Sequence, residues 1–177
     1  MAFVLSAERR AILDSLRPRY PNAKALTIPL LHICQEQEGW CSPEVIDFVA
    51  QELGVTGAHV QGVVTFYTMF LKEKPGKRVL WVCRTLSCEL CGAKELQEHI
   101  EHHLGIHAGQ TTPDGEFTLL KAECLAACGQ GPMIQLDDEF FENLTNESVE
   151  AVIERAKKSP PKAPGTWSSL YLRSEKE

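Results

Sequence analysis

Two tight cysteine pairs constrain this chain more than any other feature: Cys83-x4-Cys88 and, further along, Cys124-x3-Cys128. There are seven cysteines in all, an odd count that disulfides cannot use up. The N-terminus, Met1-Ala2-Phe3-Val4-Leu5-Ser6, lacks a basic stretch before an apolar run and turns charged at Glu8-Arg9-Arg10, so no secretory leader is expected. In a reducing compartment, clustered thiols more often bind metal or carry redox chemistry than crosslink. A net charge of −6 with no long Lys/Arg run argues against a nucleic-acid partner, since neutralising phosphates needs a clustered basic surface. No apolar run approaches the roughly 20 residues needed to cross a bilayer, so direct membrane insertion is not expected. A soluble, intracellular chain is expected.

The pattern divides at Lys74-Pro75-Gly76-Lys77, a turn signal that marks the expected domain boundary. Residues 1–75 read as short amphipathic helices that must pack on one another. Ser6 caps the first, which Pro18 and Pro21 end. A second covers 25–38 and stops at Gly39. Ser42-Pro43-Glu44 supplies the cap, first-turn proline and early acid of a third, carrying Val45, Ile46, Phe48, Val49 and Leu53 and closing at Gly54. Thr56 begins a fourth, through Val60, Val63 and Val64. Residues 76–158 read as β-α-β-β-α around one mixed sheet: strands at 78–82, 116–122, 133–136 and 139–143, with helices at 93–104 and after Thr145. Residues 159–177 form a Pro-rich tail with Trp167, Leu170, Tyr171 and Leu172, read either as an arm laid along a neighbouring subunit or as a disordered terminus.

Each cysteine pair follows a strand end, so adjacent strands would bring both loops to one edge of the sheet. Cys83, Cys88, Cys124 and Cys128 would then converge, and four thiolates suit the tetrahedral, soft coordination of iron in a [2Fe–2S] cluster. Gly92, Gly129 and Gly131 are expected to let backbone N–H groups approach the sulfurs. Lys121 and Arg84, near the ligands, would raise the reduction potential. A second ligand set is open, because Cys83-x4-Cys88-x2-Cys91 also opens the plant-type ferredoxin spacing; it would strand one member of the downstream pair. A zinc site fits the spacings only at their limit, and a Cys88/Cys91 redox dithiol leaves three cysteines without a role. Cys34, on a helical stripe, and Cys41, in a loop, read as buried structural thiols. His102, His103 and His107 read as exposed at a helix end, and Asp137-Asp138 as a hairpin turn. Neither a dinucleotide fingerprint, a Walker loop nor a Ser/His/Asp arrangement is found in a suitable context, so no complete active site is expected.

The runs Val82-Cys83-Arg84-Thr85-Leu86-Ser87-Cys88 and Glu123-Cys124-Leu125-Ala126-Ala127-Cys128 resemble the thioredoxin-like [2Fe–2S] ferredoxins, in particular the E-subunit branch of NADH:quinone oxidoreductase (respiratory complex I). Gln37-Glu38-Gly39-Trp40, Val63-Val64-Thr65-Phe66-Tyr67, Thr112-Pro113-Asp114-Gly115 and Gly131-Pro132-Met133-Ile134 also fit, so the resemblance runs from about residue 6 to 157. It implies an α+β chain, a helical bundle followed by a thioredoxin-like [2Fe–2S] domain. Cys83, Cys88, Cys124 and Cys128 would be the ligands of one cluster and Cys91 a local addition. Pro132 falls where such a fold places a cis-proline, although trans is the usual state. The resemblance further implies a non-catalytic electron-transfer component of an oxidoreductase, peripheral on the cytoplasmic side of the inner membrane. Its partners would be the flavoprotein (F) component of the complex, holding FMN and the NADH site, and the further iron–sulfur (G) component. The helical part and the tail would grip them, and the cluster edge would face the flavin. The same motifs suit an equivalent small iron–sulfur component of an NAD-linked hydrogenase or formate dehydrogenase.

Overall fold

A computed structural model describes residues 2–160, so the tail beyond residue 160, with its aromatic end, lies outside the described residues. Two compact units are present, meeting in sequence between Lys74 and Pro75.

Among the described residues, the first unit contains four α-helices, each set by local chemistry. The Ser6 side chain accepts the Arg9 N–H and starts α1 (Ala7–Leu16), which gives way to a 3-10 turn, Arg17–Arg19, at Pro18. The second helix, α2 (Thr27–Glu38), begins two residues later than its apolar pattern suggests, after a 3-10 turn, Ala23–Leu26. Pro29 accounts for the delay. An α-helix begun at Ala25 would drive the proline ring against the carbonyl four residues back, whereas near the start of α2 its missing N–H costs nothing. Gly39 ends α2 in the left-handed region at φ 89°, where a side chain would be strained. Ser42 and Pro43 open α3 (Pro43–Leu53), and Thr56 caps α4 (Gly57–Phe66). All four helices are too short to persist alone, since isolated helices under about 12–15 residues are marginal in water. They hold by burying Leu13, Leu16, Leu30, Leu31, Ile33, Val45, Val49, Val60 and Val64 in one core.

The second unit contains a four-stranded mixed sheet in the order β2-β1-β3-β4. Its strands are β1 (Arg78–Cys83), β2 (Phe117–Ala122), β3 (Ile134–Leu136) and β4 (Glu139–Phe141). β1 and β2 are parallel, in register from Arg78↔Phe117 to Cys83↔Ala122; β3 is antiparallel to β1 and to β4. Parallel neighbours need a long crossover, and α5 (Leu86–Leu90) with α6 (Ala93–Leu104) supplies it. The final helix, α7 (Asn146–Lys158), opens on a Thr145/Ser148 capping box. Leu96 and Ile100 of α6, with Val149 and Ile153 of α7, share a core with Leu80, Val82, Phe117 and Leu119 of the strands. The Gly131–Pro132 peptide is cis. Asp137 and Asp138 form the β3–β4 turn, and the Asp137 carboxylate accepts the Val79 N–H at 2.9 Å, a structural task.

The histidines depart from the expectation of uniform exposure. His102 and His107 are exposed, but His103 is half-buried, its Nδ1 3.6 Å from a Glu150 carboxylate oxygen of α7 that also lies 2.8 Å from His99 Nε2. Helix packing, which residue spacing along α6 alone does not reveal, draws His103 inward. Among the described residues no helix is long and apolar enough to cross a membrane.

Cys34 and Cys41 are both buried, as their positions suggest. Burial pushes the Cys41 thiol up to about 12 and Cys34 higher still. Since the thiolate is the nucleophile, at pH 8 only on the order of one Cys41 in ten thousand is reactive. Brief iodoacetamide treatment of the folded chain at pH 8, read by peptide mass spectrometry, is therefore expected to label the exposed Cys91 and spare Cys34 and Cys41. Labelling of Cys41 at the rate of Cys91 would contradict its buried placement.

Candidate metal centre

The parallel register of β1 and β2 makes the two strands end together, and the cysteine loops leave from that common edge. Cys83 is the last residue of β1, paired with Ala122, the last of β2; Cys124 follows two residues on. Cys88 is placed by α5, a single short turn of helix that the sequence pattern does not reveal. Cys128 begins a 3-10 turn, Cys128–Gln130.

The four thiols form two pairs. Cys124 and Cys128 bring their Sγ atoms to 4.0 Å, and Cys83 and Cys88 are buried in one cluster, close enough that the charge of Cys83 acts on Cys88. The pairs sense one another, the charge of Cys128 acting on Cys88 and that of Cys83 on Cys128. Their surroundings differ. Cys83 and Cys88 are buried with Ala93 and Met133, against Leu125 and Ala127, whereas Cys124 and Cys128 are exposed. Cys91 is also exposed and ends α5. Among the described residues, no three His, Cys, Asp or Glu side chains close on a point as a single bound ion requires.

Electrostatics at the sulfurs follow from this crowding. For Cys83, burial pushes the thiol up, but the Thr85 hydroxyl and N–H, the Leu125 N–H and Cys88 together outweigh it, and the net shift is down. For Cys88, burial and the neighbouring Cys83 push the thiol up to about 11, against a favourable Met133 N–H. Cys128 is raised by its hydrogen bond to Cys124 and by the charge there. Within each pair, one thiolate therefore opposes the next. All four can ionise together only around a strongly positive centre, which iron in a cluster supplies. One N–H group is directed at sulfur, that of Ala126, which donates to Cys124 Sγ at 3.3 Å, and those of Thr85, Leu125 and Met133 favour ionisation of Cys83 and Cys88. An all-thiol donor set, two-by-two grouping and N–H donors around the sulfurs fit an iron–sulfur cluster.

The glycines differ in what surrounds them. The N–H donors named above come from non-glycine residues, whose direction is set by the folded loops. Gly131 matters through its missing side chain, because a Cβ there would stand 3.2 Å from Cys88 Cα and 3.4 Å from its Sγ. Gly92 adopts φ 94° at the start of α6, and nothing lies within 4 Å of where a Cβ on Gly129 would be. Arg84 lies beside the site with its guanidinium paired to Glu123.

The family model for thioredoxin-like [2Fe–2S] ferredoxins matches residues 13–157. The E subunit of the NADH-quinone oxidoreductase from Mycobacterium bovis is 36% identical over 152 residues, covering 86% of this chain; the chain spans only 60% of that relative's length. A NADH-quinone oxidoreductase E subunit from Rhizobium meliloti, the second form named there, is 40% identical over 145 residues, 82% of this chain and 86% of the relative. Among solved structures, an NAD+-reducing [NiFe]-hydrogenase in the H2-reduced state matches with a TM-score of 0.68 at 16% identity, over 80% of this chain and 24% of its own, a likeness of fold. By its matched length and its relatives, the chain belongs to the thioredoxin-like [2Fe–2S] ferredoxin family.

Proposed function

We propose that Cys83, Cys88, Cys124 and Cys128 hold the single [2Fe–2S] cluster of this family, and that the chain is the electron-transfer E subunit of an NADH:quinone oxidoreductase. The observation that carries the reading is the convergence of two thiol pairs from the ends of two parallel, in-register strands. The all-thiol donor set and the match to the [2Fe–2S] family model support a two-iron centre over a structural zinc ion. Cys91 belongs to neither pair and takes no ligand role. When bound, such a cluster takes up and returns one electron at a time.

The residues divide the remaining work. Cys83 and Cys88, with the Thr85, Leu125 and Met133 N–H groups, anchor the site on the buried side and stabilise negative charge on sulfur. Cys124 and Cys128 hold the side open to solvent, where a docked protein comes near without any substrate channel. The partner proposed there is the flavoprotein (F) component, which holds FMN and the NADH site, with the iron–sulfur (G) component as a further neighbour. The assembly would place the chain peripherally on the cytoplasmic side of the membrane. Identity of 36–40% to quinone-reductase E subunits supports this complex over an NAD-linked hydrogenase, since the hydrogenase likeness stands at 16%.

Purified chain is expected to contain close to two iron and two acid-labile sulfide per protein and to give a rhombic EPR signal when reduced; stoichiometric zinc in their place would overturn the reading. Replacing Cys83 or Cys128 with Ala should abolish the signal, and Cys91→Ser should leave it intact. Loss in the Cys91 variant would move the ligand set to the plant-type spacing. Gly131→Ala, whose Cβ must push Cys88 back by a few tenths of an ångström, is expected to lower iron content and alter the EPR line shape while the far-UV circular dichroism stays that of the wild type.

A further inference from the structure

One ion pair stands where the two cysteine loops meet. Beyond the last strand pair, Cys83↔Ala122, the Arg84 N–H donates to the Ala122 carbonyl at 3.1 Å, continuing the ladder by one step. That step sets Arg84 beside Glu123. Arg84 Nε donates to Glu123 Oε1 at 3.0 Å, and Nη2 bonds the same oxygen. Arg84 directly follows Cys83, Glu123 directly precedes Cys124, and the Glu123 carbonyl lies 4.0 Å from Cys83 Sγ. Both side chains are open to solvent, 52% and 68% exposed. Exposed pairs of this kind contribute little to folding stability, so a structural tie is a poor account of the position. Their charges, however, sit one residue from sulfurs on each of the two loops.

We propose that Arg84 and Glu123 act as a charge-balancing pair that sets the reduction potential of the centre. The proposal rests on the ligand set above. Reduction adds one electron, donated by the redox partner, to a group already negative, so a nearby positive charge favours the reduced form and a negative charge the oxidised form. Glu123 holds the potential below the value Arg84 alone would impose, and Arg84 holds it above the value Glu123 alone would impose. Glu89 and Lys121 also carry charge nearby, and they stay constant when only this pair is varied. Because the pair is exposed, salt should weaken its influence.

The test is a reductive titration of the cluster-loaded full chain followed by EPR, comparing the wild type with E123Q, R84Q and R84Q/E123Q. E123Q should shift the midpoint upward and R84Q downward, with the double variant near the wild type. Both single shifts should shrink as ionic strength rises from about 0.01 M to about 1 M, where the screening length falls from about 30 to about 3 Å. Shifts of the same sign, no shift in either variant, or shifts that salt does not diminish would overturn the proposal. Loss of the cluster from both single variants would overturn it too, since the pair would then be a structural tie. Failure of the underlying ligand reading shows separately, as absent iron and sulfide in the wild type or signal loss in C91S.

Discussion

Parallel pairing of β1 with β2 is the constraint on which the site depends. Cys83 and Cys124 are far apart in sequence, and closing so long a loop costs entropy that no sulfur contact could offset alone. Backbone hydrogen bonds from Arg78↔Phe117 to Cys83↔Ala122, and the burial of Leu80, Val82, Phe117 and Leu119, meet that cost. Parallel strands end on the same side, so both loops leave from one edge. An antiparallel partner would have sent the second cysteine loop to the opposite end of the sheet. The crossover that parallel pairing demands is used in turn, because α5, its first part, carries Cys88.

Once the strands have delivered the sulfurs, charge governs what the edge can hold. Each pair resists a second thiolate, as the raised Cys88 and Cys128 show, while Cys83 is eased toward ionisation by N–H and hydroxyl donors. That combination disfavours the empty, fully ionised state and favours a positive centre that offsets several thiolates at once. It also distinguishes these thiols from Cys34 and Cys41, which burial keeps protonated.

Much of this was legible in the residues wherever the cause is local. Ser6, Ser42 with Pro43, Gly54 and Thr145 mark helix ends by chemistry that acts within a turn, and their helices begin or end where expected. The four strands were visible from alternation and turn residues, while the adjacency of β1 and β2 entered only as the condition for uniting the cysteine pairs, and the strand order was not legible. Other features depend on distant contacts. A five-residue helix such as α5 is too short to show a period. The start of α2 moved because a steric rule at Pro29 outweighed an apolar stripe. Which N–H groups act on the sulfurs, those of Leu125, Ala126 and Met133 among them, is decided by folded loop geometry that glycine content does not reveal. The sequence places Arg84 near the ligands, and its pairing with Glu123 emerges only from the strand register.

The uneven burial of the two pairs connects structure to electron exchange. A centre enclosed on all sides would be protected but remote from any partner, and one held only by exposed loops would be open to water and easily lost. Here the buried pair is rooted in a strand end and a helix, packed against Met133, and the exposed pair lies on the loop after β2. In the proposed ligand set, the first pair is held by packing on the buried side, and the second lies on the side open to solvent. Moving an electron requires no substrate pocket, only proximity and a small rearrangement on charge transfer. A buried inner pair with an accessible outer pair meets both conditions, so the proposed relay asks little more of this chain than the sheet edge that carries Cys83, Cys88, Cys124 and Cys128.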